Sequence, residues 1–281
     1  MAVLPWFAVF LAALAAFSRA PRRLTFALLA IGYGLAFVLG QLQAIAIVPI
    51  ALLLCSGILL QWNPSSLGKL LCNVVFVVVA FGLFQHLLPG FHNLRVIAAA
   101  RFTPDAAPYT MYLNFDKPLI GFWLVLTYPW VHPKKALPVM MVSSLCAAAI
   151  TSAVCLFIAL EAGSIAWAPK WPHLVWLWML NNFLLVAFAE EALFRGYIQT
   201  GIGRLMQARP HMQWFGLIVA AGLFGFAHHQ DGTALVLLAA LSGVGYGLAY
   251  RVGGLQASML THFGLNLRQF VLFTYPFIAH S

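Results

Sequence analysis

Apolar runs of near-membrane length, broken by short polar or turn-forming stretches, fill this chain from end to end. They lie at roughly 3–18, 24–40, 43–61, 70–88, 118–131, 137–160, 174–200, 213–229, 233–250 and 255–276. Between them stand turn residues: Pro21, Asn63-Pro64, Pro89-Gly90, Pro133, Pro210 and Gly253-Gly254. Crossing a bilayer takes about 20 apolar residues in a helix. Several runs are shorter, so one or two would be re-entrant, or two would join as one kinked span. The expected fold is an all-α, polytopic transmembrane helical bundle with about 8–10 membrane helices. Residues 89–117 form the one long connection, aromatic and proline-containing. It reads as a loop lying on the headgroups or as a segment that gates or docks a substrate.

Composition agrees with the pattern. The chain has 281 residues, 63% of them hydrophobic and 7% charged, against about 25% charged in ordinary soluble domains. Lipid must be the solvent for so much apolar surface. A net charge of +9 would suggest nucleic acid in a soluble protein. Here the basic residues are scattered between apolar runs, so no nucleic-acid partner is expected and the charges are topology signals. Across ten spans, the odd-numbered connections hold Arg19, Arg22, Arg23, Lys69, Lys134, Lys135, Arg204, Arg209 and Arg251. The even ones hold only Arg95, Arg101, Lys117 and Lys170. That asymmetry predicts odd connections in the cytoplasm and both termini outside. No basic residue precedes the first apolar run, as one would in a secretory signal, so it is read as a retained helix. Cys55, Cys72, Cys146 and Cys155 all lie in apolar runs without a CxxC spacing and are read as buried small hydrophobes.

The chemistry is concentrated in one third of the chain. The ionisable residues at membrane depth are chiefly Glu190, Glu191, Arg195, His228, His229, His262 and Arg268. Burying each charge there costs about 2.5–3.5 kcal/mol on insertion scales, so such residues are functional candidates by default. Glu191 and Arg195 are four apart, share a helical face and can pair. Glu190 is rotated by about 100° from that pair and is read as a base able to accept a proton near neutrality. In Phe224-Gly225-Phe226-Ala227-His228-His229, two adjacent histidines point different ways, so one at most faces Glu190. His262 and Asn266, again four apart, put two polar groups on one stripe. They would serve as oxyanion donors or as interhelical polar contacts.

Glu-Glu-x-x-x-Arg, then Phe-x-x-x-His, then His-x-x-x-Asn, in that order on successive apolar helices, resembles the CAAX prenyl protease and bacteriocin-processing family of intramembrane endopeptidases. The resemblance covers roughly residues 175–270, with a weaker echo in Asn114-Phe115-Asp116-Lys117-Pro118. It implies an intramembrane endopeptidase core over 111–281, behind N-terminal helices (1–110) of unassigned role. It also implies that Glu190, helped by His228, activates a water, that His262 and Asn266 stabilise the oxyanion, and that Glu191 and Arg195 hold the geometry. A zinc ion would take Glu190, His228 and His262 as ligands with an open position. A water-activating Glu and His need no metal, and the metal-independent form is favoured. The substrate would be a membrane-associated protein or peptide, and the setting a multi-pass protein of a bacterial inner membrane. Two other functions compete. A non-catalytic partner or immunity protein would be expected to lose a motif residue, and all are present. A proton-coupled transporter would be expected to show paired half-repeats, and none is visible.

Overall fold

The computed structural model describes residues 2–18, 20–206 and 212–279; Arg19, Arg209 and Pro210, used above as topology signals or breaks, lie outside them. The described chain is mostly helix: α1 (Leu4–Phe17), α2 (Arg22–Val38), α3 (Ile47–Gln61), α4 (Ser66–Phe84), α5 (Pro118–Thr127), α6 (Leu137–Glu161), α7 (Val175–Leu205), α8 (Met212–Phe226) and α9 (Thr233–Leu272). Five helical stretches are long and apolar enough to cross a membrane: Ala44–Gln61, Ser66–Phe84, Leu137–Glu161, Val175–Leu205 and Thr233–Leu272. The apolar stretches Leu4–Phe17, Pro118–Thr127 and Gln213–Phe226 are shorter. The fold is an all-α, polytopic membrane bundle.

Local chemistry sets the helix starts. Proline stands in the first turn of α1, α5 and α6, where a missing N–H costs nothing. α4 begins earlier than the apolar run, because the Ser65 hydroxyl accepts from Gly68 N at 3.3 Å and caps the helix. Lys69 therefore lies in the first turn of α4 and not in a connection.

The described chain divides into two compact units. One comprises Met1–Val96, Tyr112–Pro129 and Leu184–Ala189. Within it, Gly32 of α2 lies so close to α1 that an added Cβ would meet Val9 Cγ2 at 2.9 Å. The Asn114–Pro118 segment is anchored here. Phe115 is fully buried, stacked on Trp6 at 3.7 Å, and its carbonyl accepts from Tyr33 Oη at 2.6 Å. Buried Asp116 accepts from His86 Nδ1 at 2.6 Å and from Asn93 Nδ2 at 3.2 Å.

The other unit comprises Ile97–Met111, Trp130–Phe183 and Glu190–Ser281. α9 dominates it. Straight, its 40 residues would span about 60 Å. Instead Gly254 has φ 77° and ψ −168°, a conformation that favours glycine, and the helix folds back there. Ser258 Oγ reaches Tyr246 O at 3.0 Å, although 12 residues of straight helix would separate them by about 18 Å. The break expected at Gly253-Gly254 is therefore a fold between two packed limbs, 233–253 and 255–272. Both limbs lie among small residues of their neighbours, as in Gly225 against Ala240 and Gly264 against Ala148.

The 89–117 connection carries a two-stranded ribbon, β1 (Leu94–Ala100) paired with β2 (Tyr109–Leu113). Its later part is tied to the C-terminal segment. Ala107 N donates to Phe277 O and Ala279 N to Asp105 O, both at 2.8 Å, and Thr274 Oγ1 donates to Asp105 Oδ2 at 2.9 Å. Cys72 and Cys155 are buried as expected, but Cys55 and Cys146 are exposed on the outer faces of α3 and α6.

Candidate active site

α7 is the most enclosed of the long helices. Of its apolar window 67% is buried, against 28% for the α3 stretch and 33% for α4 and α6. Only such a helix can carry several ionisable groups out of contact with lipid. It is also irregular: π-helical turns at Asn182–Ala187 and Ala192–Gln199 bracket the α-helical Phe188–Glu191. π-Turns recur at functional sites because they re-aim side chains that a regular helix would place elsewhere. The apolar run at 174–200 predicts a helix there but not its π-turns.

Two chain segments, α7 and the second limb of α9, meet at Glu191. Its carboxylate faces Arg195 Nε at 3.1 Å, with both side chains fully buried, so the predicted pair forms. On the other oxygen it accepts from His262 Nδ1 at 2.9 Å. Ser258 Oγ makes a short hydrogen bond to Glu191 Oε2. Glu190, 4% exposed, brings Oε2 to 3.9 Å from His262 Nε2. The imidazole of His262 thus lies between the two carboxylates of the Glu-Glu pair. Two carboxylates, one guanidinium and one imidazole make an electrically neutral cluster when the imidazole is protonated. Neutrality lowers the cost of burying charge at this depth.

Arginine at 195 does what lysine could not. Its guanidinium lies 4.7 Å from the Phe224 ring centre, 5.6 Å from Tyr246 and 5.8 Å from Phe194. Its Nη1 donates to Ala220 O at 3.4 Å. Among the described residues Nη2 meets no acceptor, so ring faces take the place of water around a planar cation.

His228 lies beyond the end of α8, in the turn that follows Phe226, and not on the helix itself. Its Nδ1 is 2.9 Å from Phe224 O. A carbonyl can only accept, so Nδ1 carries the hydrogen and Nε2 of the neutral ring is the basic nitrogen. The ring also packs edge-on to Phe224, 5.0 Å between centres, and Phe224 in turn meets His262 at 5.7 Å. His229 turns away: it is exposed, stacks on Phe226 at 5.1 Å and donates to Phe226 O. Asn266 Nδ2 donates to Asn182 Oδ1 at 3.4 Å. Arg268 bonds to Ser152 Oγ at 3.2 Å and to Gly264 O at 3.0 Å.

Three contributors were missed in the sequence: Asn182, Ser258 and Tyr246. Ser258 stands four residues before His262, and Asn182 is a polar residue inside an apolar run. Both signals were readable. Tyr246 had none, because only the fold at Gly254 brings it to His262.

Among the described residues, no group of three or more His, Cys, Asp or Glu side chains is placed to hold a metal ion. Nδ1 of His228 and Nδ1 of His262 are already hydrogen-bonded, so each has only Nε2 to offer a metal. The set Glu190, His228 and His262 is not drawn together as ligands.

No curated protein and no solved structure matches the chain. A family model described as type II CAAX prenyl endopeptidase Rce1-like matches residues 171–268. That stretch contains all six predicted site residues. Over residues 171–268, this multi-pass membrane protein is thus similar to the Rce1-like CAAX prenyl endopeptidases.

Proposed function

We propose that the protein is an intramembrane endopeptidase that hydrolyses a peptide bond in a membrane-associated protein or peptide, through a glutamate- and histidine-activated water and without a metal. One observation carries the proposal: His262 is buried between Glu190 and Glu191, joining two of the three motifs in a single polar cluster inside an apolar bundle.

Glu190 takes the proton of a water, with Nε2 of His228 as the second basic group. The hydroxide adds to the scissile carbonyl, and the proton passes to the leaving amine. Nδ1–H of His262 is held by Glu191, so this ring acts through Nε2, which donates to the developing oxyanion when the ring is protonated. Asn266, whose amide is held by Asn182, contributes its second N–H. Glu191 and Arg195 stay out of the bond changes and hold His262 in place.

The test compares the membrane proteomes of cells carrying the wild-type chain and Glu190→Ala. The mutant should accumulate a precursor whose new terminus is absent. Identical termini in both, with the mutant protein inserted at normal levels, would refute the proposal.

A further inference from the structure

The two limbs of α9 do more than pack. The fold at Gly254 lays the Tyr246 ring flat on the imidazole of His262, with ring centres 4.6 Å apart and planes within 8°. In a straight helix these residues, 16 apart, would be separated by about 24 Å. The contact therefore exists only because the helix folds back.

His262 is fixed on three sides. Its Nδ1 is held by Glu191, and Phe224 stands against it at 82° to its plane. Tyr246 covers one face. The hydrogen bond through Nδ1 and the covalent tether to Cβ narrow the orientation of the ring but leave it able to rock out of its plane. The flat stack removes that freedom, and so sets the direction in which Nε2 points. Ser258, on the second limb, fixes the acceptor: it bonds to Glu191 Oε2 while its Oγ lies 3.0 Å from Tyr246 O. Tyr246 is itself 1% exposed and its ring also flanks the Arg195 guanidinium at 5.6 Å. One aromatic ring thus touches both the histidine that faces Glu190 and the cation that neutralises Glu191.

We propose that Tyr246 is a positioning residue of this site: its ring, and not its hydroxyl, holds the His262 imidazole so that Nε2 faces Glu190. The inference rests on the endopeptidase reading only where activity is the readout.

Tyr246→Phe keeps the ring, and Tyr246→Leu removes it while leaving an apolar side chain of moderate size. Two measurements are made on full-length protein in detergent micelles. The first is cleavage of a farnesylated, internally quenched peptide ending in a CAAX sequence. The second is the rate at which diethyl pyrocarbonate modifies His262, followed by peptide mass spectrometry with His228 as internal reference. Tyr246→Phe should stay within about threefold of wild type in both. Tyr246→Leu should lower kcat at least tenfold with KM within about twofold, and raise the modification rate of His262 several-fold but not that of His228. Should Tyr246→Leu not fold, Tyr246→Trp, which keeps a flat ring, supplies the comparison and should retain slow His262 modification. Unchanged His262 modification in Tyr246→Leu overturns the inference, as does a Tyr246→Phe variant as impaired as Tyr246→Leu. If wild type leaves the peptide intact while the modification rates separate the variants as stated, the positioning role stands and the reading of this peptide as substrate fails.

Discussion

Replacing Arg195 by methionine removes the guanidinium that faces Glu191 in a site where neither side chain has any exposure. Breaking a buried pair by deleting one partner costs about 3–5 kcal/mol, because the remaining charge is stranded. The ring contacts of the guanidinium add about 0.5–2 kcal/mol to the loss. The His262 and Ser258 bonds to Glu191 remain and soften it, so about 4 kcal/mol is expected for Arg195→Met. At about 2–4 °C per kcal/mol for chains of 150–250 residues, the unfolding temperature in detergent should fall by roughly 8–16 °C. The double variant Glu191→Leu/Arg195→Met removes both charges, and apolar replacement of a buried pair is often close to neutral. It should recover most of the lost stability, with a coupling of at least about 2 kcal/mol in the double-mutant cycle. It should not recover activity, because His262 Nδ1 has lost its acceptor. Single and double variants that are additive in stability, or an Arg195→Met variant within about 1 kcal/mol of wild type, would refute the reasoning that Arg195 neutralises a buried carboxylate.

Gly254→Ala should lower stability by about 1–3 kcal/mol, the usual cost of forcing a side chain into such a backbone conformation, and should reduce activity by loosening the Tyr246–His262 contact; circular-dichroism melts and a cleavage assay check both. His132 lies in the connection before α6, where burial holds its imidazole below the ordinary value despite a hydrogen bond with Gln256. The folded protein therefore keeps it neutral where the unfolded chain protonates it. Stability should fall as pH drops below the ordinary histidine value of 6.5 towards the lowered native one. His132→Phe should flatten the unfolding temperature between pH 5 and 8, and an unchanged slope would contradict the assignment. Chelator treatment should leave cleavage intact, and complete loss restored by zinc would place a metal in the mechanism.

Much of the scaffold was legible because apolar runs and their breakers follow from the solvent. Gly253-Gly254 marked the fold in α9, and the Pro and Asn-Pro breaks marked loops. Legibility ended where local bonds shift an edge, as at Ser65, which pulls Lys69 into α4, or where a short run such as Pro118–Thr127 is apolar without membrane length. In the site, Glu191 and Arg195 were readable as a pair because four-residue spacing survives even a π-turn. The placement of His262 was not. Read from its own helix, it belongs with Asn266; only tertiary structure shows Nδ1 on Glu191 and Nε2 towards Glu190. The π-turns themselves leave no sequence signature, because the wider turn depends on what packs around Phe188–Glu191.

Hydrolysis of the farnesylated quenched peptide by purified wild-type protein and by Glu190→Gln tests the central claim most directly. Glutamine keeps the shape of the side chain and removes its basicity, and general-base catalysis is worth about 10²–10⁴-fold. The account predicts a loss of at least about 100-fold in kcat, with the unfolding temperature held within a few degrees. A Glu190→Gln variant that folds and cleaves at a rate close to wild type would contradict it.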